Sequence, residues 1–326
     1  MNLKIRPFKP TKNEYEAIAR IQKSVTPEHS RTADELEHID QSMDADTVFS
    51  RFIGELDGQI VAFSTLGQPP VMKGTDKFWL NFYLYPDFEQ KPYVEQLHSH
   101  LIEGVTALGG TEVATNTTEA KSARIAFLEK HGYQCMLREC TSKLDLAQFD
   151  PAPFLFAVEQ SKQANIALYS LVELKEKDPN WLAKVEALSW SIGGDIPSVD
   201  PQNPASRQPL EEYVKRFELP GHMSEGWFVA VDETDGPLAH YVGLSYLWRV
   251  LDDPKRLDTG ITGVLRSYRR KGIATTLKLH AFEFAKAYGA EIIWTENEEN
   301  NPMYQINLRM GFKPEPAWLE YVKDLS

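Results

Sequence analysis

Two Gly-aromatic pairs, Gly132-Tyr133 and Gly311-Phe312, each follow a helical stretch and stand 179 residues apart. The same spacing separates Gln90, just before one long helical stretch, from Arg269, just before another. One offset that fits two separate landmarks predicts a duplicated domain. In the first half, the apolar pattern places strands at 3–8, 49–55, 59–66, 78–85, 111–115 and 133–144. Helices fall at 13–25, 31–43, 93–108 and 119–131. The second half repeats the order, with strands at 167–174, 227–231, 241–250, 259–265, 291–295 and 318–323. Its helices fall at 181–192, 209–217, 273–288 and 301–310. Asp57-Gly58 and Asp235-Gly236 read as hairpin turns. The expected fold class is α/β (α+β): two tandem domains, each a mixed, mostly antiparallel sheet with helices on both faces. The expected boundaries are 1–148, a linker at 149–165 stiffened by Pro151 and Pro153, and 166–326.

A chain of 326 residues, 42% hydrophobic and 25% charged, has apolar material for two cores. The net charge of −12 argues against nucleic acid and anionic membrane as partners, since both need basic surface. No apolar run of about 18 residues and no N-terminal signal core is present, which leads to the expectation of a cytoplasmic protein. The two cysteines, Cys135 and Cys140, are five residues apart in an expected strand and point to opposite faces. Two reduced thiols are expected, and no metal site, because no His cluster accompanies them.

The segment Val264-Leu-Arg-Ser-Tyr-Arg-Arg-Lys-Gly-Ile-Ala274 joins a strand to a helix. The N-terminus of that helix leaves backbone N–H groups unpaired and carries partial positive charge. Gly272 lets an anion approach the backbone, and Arg269, Arg270 and Lys271 add full charges. A diphosphate is the ligand this turn predicts. Dinucleotide-binding and P-loop alternatives fail on glycine spacing.

Arg269-x-x-Gly272-x-Ala274 after Val264 resembles the acetyl-CoA motif of the GNAT N-acetyltransferases. Residues 295–312 resemble the next motif of that superfamily, in which an Asn opens a helix that ends in Gly-Phe; Asn300, Met303, Asn307, Gly311 and Phe312 fit it. A duplicated chain of this kind is similar in layout to the mycothiol synthase type of tandem GNAT protein. The resemblance implies roles. The backbone near Thr262, Val264 and Leu265 pairs with the pantetheine arm. The N–H groups of Arg269, Arg270, Lys271, Gly272, Ile273, Ala274 and Thr275 hold the pyrophosphate. Asn300 and Met303 line the channel.

The offset of 179 puts Pro92, Tyr93 and Glu95 in place of Lys271, Gly272 and Ala274, and Lys121 and Leu128 in place of Asn300 and Asn307. Pro92 removes a donor, Tyr93 obstructs the approach and Glu95 repels phosphate. The first half is therefore expected to keep the fold without the acyl-CoA site, and to pack on the second half or shape the acceptor pocket.

The resemblance implies an acyltransferase, an N-acetyltransferase that moves an acetyl group from acetyl-CoA, as co-substrate, to the amine of a small molecule by direct attack. Proton removal from the amine falls to Asp258, with Glu225 and Glu296 as alternatives. Many GNAT enzymes have a Tyr four residues before the final Gly to protonate the thiolate; here that position is Asn307, with Tyr304 one turn away. The loop Gly193–Asp200 carries Asp195 and Asp200, placed to meet a cationic amine. Trp190, Trp227 and Trp248 are expected in the core. The chain is expected as a monomer or homodimer. The alternative function is a noncatalytic acyl-CoA-binding sensor or scaffold.

Overall fold

The structure, a computed structural model, describes residues 3–44, 46–69, 72–89, 92–195 and 207–326. In chain order the elements are β1 (Lys4–Pro7), α1 (Lys12–Val25), α2 (Ala33–Ser42), β2 (Phe49–Leu56), β3 (Gln59–Gly67), β4 (Lys77–Leu84), α3 (Tyr93–Ala107), β5 (Glu112–Thr118), α4 (Ser122–Lys130) and β6 (Gln134–Asp145). There follow α5 (Leu155–Gln163), β7 (Ile166–Ser170), α6 (Leu171–Lys177), α7 (Trp181–Gly193), α8 (Leu210–Val214), β8 (Trp227–Asp232), β9 (His240–Arg249) and β10 (Arg256–Val264). The chain closes with α9 (Ile273–Tyr288), β11 (Ile292–Glu298), α10 (Pro302–Arg309), β12 (Lys313–Pro314) and β13 (Trp318–Asp324). No helix among the described residues is long and apolar enough to cross a membrane.

The chain forms two compact units that do not coincide with the halves of the repeat. One is Met1–Leu137 with Trp318–Ser326; the other is Arg138–Ala317. The first unit has strand order β1-β2-β3-β4-β5-β13 and the second β6-β11-β10-β9-β8-β7, with β12 on β6. The last strand of each repeat thus joins the other unit. In the second unit β6 pairs antiparallel with β11, Glu139 opposite Glu298 and Asp145 opposite Ile292. In the first, β13 pairs antiparallel with β5, from Trp318 opposite Thr118 to Asp324 opposite Glu112. Alternation along 133–144 and 318–323 locates strands, but the pattern does not name their partners.

Both units are mixed sheets, and the parallel pairs fall at the same place in each. β4 meets β5 at Lys77–Trp79, and β10 meets β11 at Arg256–Asp258, 179 residues on. In the first unit, α1 and α2 bury Tyr15, Ile18, Ile21 and Leu36 against Ile53 and Phe63. On the other sheet face, α3 and α4 bury Leu97, Leu101 and Leu128 against Leu66, Leu80 and Phe82. The second unit repeats the two layers. Leu171, Leu174, Val185 and Leu188 of α6 and α7 pack on Val229 and Leu244. Leu279 and Phe282 of α9 pack on Leu247, Leu257 and Ile293. Side chains that alternate along a strand feed opposite layers, which is why both faces are covered.

Two helices depart from the sequence reading. Residues 171–174 were expected in a strand but belong to α6. Ser170 accepts from the Glu173 N–H while the Glu173 carboxylate accepts from the Ser170 N–H, a capping box readable as Ser-x-x-Glu. The stretch expected as a linker contains α5, which lies along α9. Both cysteines are free thiols, Cys135 exposed and Cys140 buried.

Candidate active site

β10 ends at Val264, and one short turn of helix (Arg266–Tyr268) carries the chain toward α9. Arg270 then has φ 64° and Gly272 φ 75°, both left-handed. For Arg270 that conformation costs about 1–2 kcal/mol. Gly272 is the N-cap of α9 and no side chain caps the helix, so its first N–H groups have no partner within the helix. Left-handed residues beside an uncapped helix N-terminus make a concave array of N–H donors. A Cβ on Gly272 would also lie 2.5 Å from the Ala157 carbonyl oxygen of α5. Glycine is therefore required by the backbone conformation and by packing, as well as by the approach of an anion.

This turn forms one wall of a cavity of about 820 Å³, within the range of small-molecule sites. Thr262 and Val264 of β10 and residues 269, 270 and 272–275 line that side. Asn301, with Met303, Ile306 and Arg309 of α10, lines the other, and Ile192 and Asp195 complete the lining. A slot exists because two neighbouring strands part. β10 and β11 pair only as far as Asp258 and Trp294; beyond that β10 stays with β9 and β11 with β6. The β9/β10 register slips between Thr259 and Thr262, a bulge that turns β10 away from β11. Gly260 sits in this bulge, where a Cβ would strike the Tyr246 ring.

Four arginines, Arg266, Arg269, Arg270 and Arg309, give the wall positive charge. The Asp195 carboxylate bridges Arg266 and Arg269, accepting at 2.8 Å from Arg266 Nε. Hydrogen bonding from Arg266, with the Arg269 charge nearby, holds its carboxyl below the usual range. Asp195 thus meets arginines of this chain, whereas the sequence reading offered it to a cationic amine; Asp200 lies outside the described residues. Arg269 also donates from Nε to the Val264 carbonyl at 3.1 Å, which fixes its stem along the strand end.

The other expected residues fall in several places. Leu265 packs into the α6–α7 layer and Lys271 places its ammonium over the Tyr268 ring at 4.7 Å; neither lines the cavity. Asn300 holds the Glu298 carboxylate with its Nδ2, while Asn301 caps α10 by accepting from the Met303 N–H at 2.9 Å. Pro302 at the first helical position puts the cap one residue later than expected. Asn307 is fully buried; its Nδ2 donates to Asn297 Oδ1 at 2.6 Å, and its Oδ1 has no partner among the described residues. Tyr304 hydrogen-bonds Cys140. Asp258 stands where the strands part, yet Arg256 grips it with two bonds of 2.7 and 3.0 Å while stacking on Trp294. Asp258, Tyr304, Asn307, Glu225 and Glu296 are not among the residues that line the cavity. Trp227 is core, but Trp190 is 41% exposed, contrary to expectation.

Sequence reasoning missed Arg266, Arg309 and all of α5. Basic residues three before Arg269 and two before Gly311 were the available signal for the first two. No local signal points to α5, because its role depends on tertiary contact. Among the described residues no group of three or more His, Cys, Asp or Glu is arranged to hold a metal ion.

The corresponding slot of the first unit is built differently. β3 and β4 pair without a slip from Ala62–Leu84 to Gly67–Trp79, so the bulge is absent. Arg124, at the position of Met303, stacks its guanidinium 3.2 Å from the Phe82 ring centroid and donates to the Phe82 carbonyl at 3.4 Å. It occupies the strand side where the second unit has its open slot. Tyr93 begins α3, and Glu95 pairs with His131 at 2.8 Å. Gln90 lies outside the described residues.

Residues 195–312 match the Acetyltransferase (GNAT) family. No curated protein matches the sequence significantly. Among solved structures, a tandem GNAT protein from the clavulanic acid biosynthesis pathway is 17% identical with a TM-score of 0.75, over 100% of this chain and 99% of that one. A GCN5-related N-acetyltransferase from Sphaerobacter thermophilus is 16% identical with a TM-score of 0.71, over 99% and 96%. A glucosamine N-acetyltransferase region of a fungal multi-domain beta-N-acetylglucosaminidase is 14% identical with a TM-score of 0.71, over 98% of this chain and 38% of that one. At these identities the likeness is one of fold, and it spans the whole chain.

Proposed function

We propose that the protein moves an acetyl group from acetyl-CoA to the amine of a small molecule; the match of residues 195–312 to the Acetyltransferase (GNAT) family and the tandem GNAT fold over the whole chain support this reading. The observation that carries this is the turn at 269–275. Two left-handed residues and an uncapped helix aim donors and arginine charge at one cavity. Backbone N–H groups from Arg270 to Thr275 hold the pyrophosphate, the Arg269 N–H expected among them being bonded to the Arg266 carbonyl at 3.3 Å, and Arg269, Arg270 and Arg309 add charge. The pantetheine arm lies along Thr262 and Val264, where β10 has left β11, with Met303 and Ile306 opposite. Acetyl-CoA supplies the activated thioester when bound. One such site per chain is proposed, since the first unit has filled its slot with Arg124.

For the acyl transfer itself, Asp258 is held by Arg256 and does not line the cavity. The amine is instead captured neutral, or loses its proton through water. Asn307 cannot donate a proton to the departing thiolate, whose pKa of about 8.5 allows it to leave unprotonated. A small acceptor, an amino sugar among the candidates in view of the fungal neighbour, fits the layout better than a protein lysine. The test is release of free thiol from acetyl-CoA across a panel of small amines. Turnover with at least one amine is expected. Tight binding with no turnover across the panel would assign the chain to noncatalytic acyl-CoA-binding proteins.

A further inference from the structure

Three consecutive carbonyls of the turn accept hydrogen bonds from side chains. Arg270 O accepts from Gln160 Nε2 at 3.0 Å, and Lys271 O from Ser161 Oγ at 3.0 Å. Gly272 O accepts from Thr276 Oγ1 at 3.0 Å, and that hydroxyl lies 3.1 Å from Ser161 Oγ. Ser161 is 2% exposed, and Ala157, one turn before it on α5, is the residue that a side chain at 272 would strike. Two of the three donors belong to α5, which lies outside the residues that match the family.

A trans peptide is planar, with its C=O and the next N–H pointing in opposite directions. Carbonyls 270, 271 and 272 turned toward α5 and its hydroxyl network therefore send the N–H groups of Lys271, Gly272 and Ile273 the other way. Gly272 and Ile273 line the cavity. The left-handed Arg270 peptide, strained for a residue with a side chain, is the one tied by Gln160.

We propose that α5 is a positioning element for the cofactor turn, with Gln160 and Ser161 holding its peptide planes so that three N–H groups face the diphosphate. The proposal rests on the acyl-CoA reading of the cavity. Neither residue touches the ligand; both act through the backbone they hold. Gln160 is exposed, so Gln160→Ala is a surface change that leaves the fold intact. Ser161→Ala and the double variant complete the set.

Affinity for acetyl-CoA is measured by calorimetry, and affinity for S-acetylpantetheine, which lacks the diphosphate, by displacement. The double variant is expected to bind acetyl-CoA about tenfold more weakly, with S-acetylpantetheine unchanged and the melting temperature within a few degrees of wild type. Unchanged acetyl-CoA affinity overturns the proposal. Equal weakening for both ligands with a lowered melting temperature also overturns it, since that marks a general loss of packing. If wild-type protein binds no acetyl-CoA at all, the functional reading falls and takes the proposal with it.

Discussion

Lys278 of α9 lies one turn beyond Thr275 and is 1% exposed. Its ammonium has ring neighbours, Phe312 at 5.7 Å and Phe282 at 6.0 Å, and no carboxylate within salt-bridge distance among the described residues. Burial pushes its pKa from 10.5 down to about 7. The folded protein therefore binds fewer protons than the unfolded chain between about pH 7 and pH 10.5, and this residue makes the fold more stable as pH rises through that window. Below pH 7 the lysine is charged in both states and its full penalty, about 5 kcal/mol, is present. At pH 7 the penalty is about 4 kcal/mol and at pH 10 about 1 kcal/mol. Lys278→Met keeps the length and removes the charge. Urea unfolding at pH 7, 8, 9 and 10 should show the variant more stable than wild type by up to about 4 kcal/mol at pH 7, with the gap closing toward about 1 kcal/mol at pH 10. A gap that does not change with pH, or a variant less stable than wild type at pH 7, would refute the reasoning.

Gly272→Tyr, which copies Tyr93 of the first half, should abolish acetyl-CoA binding in calorimetry, and wild type should bind one equivalent per chain; two equivalents would show that the Arg124-filled slot is open after all. Asp195→Asn releases the charge of Arg266 and Arg269. It should tighten acetyl-CoA binding about three- to tenfold, with a steeper loss of affinity on adding salt. Weaker binding would instead mean that Asp195 orients the two arginines. Asp258→Asn should retain more than about a tenth of wild-type kcat, and activity should rise with pH toward the pKa of the amine used; a loss of about a thousandfold would make Asp258 the base.

The repeat was legible because both halves keep the same landmarks at one spacing, and the order of strands and helices within each half led to two mixed sheets with helices on both faces. The turn at 269–275 was legible because its chemistry is local: a glycine, three basic residues and a helix start. The expectation that the first half lacks the site could be drawn by subtraction, from Tyr93 and Glu95, but the placement of Arg124 over Phe82 could not. That placement depends on a guanidinium reaching across to Phe82 of another strand. Asp258 and Tyr304 were reasonable candidates by position, but Arg256 and Cys140 claim them in three dimensions. The shift from Asn300 to Asn301 is a one-residue error of cap placement that Pro302 could have prevented. Helix α5 was read as a linker because proline signals dominated 149–154. The contacts that give α5 its importance span more than a hundred residues of sequence.

The exchange of final strands has a consequence for how the chain is made. As the polypeptide leaves the ribosome, β5 waits about 200 residues for its partner β13. Until then the first unit presents an open sheet edge, the kind of surface that recruits foreign strands. A premature stop before Trp318 would accordingly leave the residues that line the cavity intact and injure the unit to which Met1–Leu137 belongs. Damage from such a truncation should show first as aggregation of nascent chains, with loss of acetyl-CoA binding only afterwards.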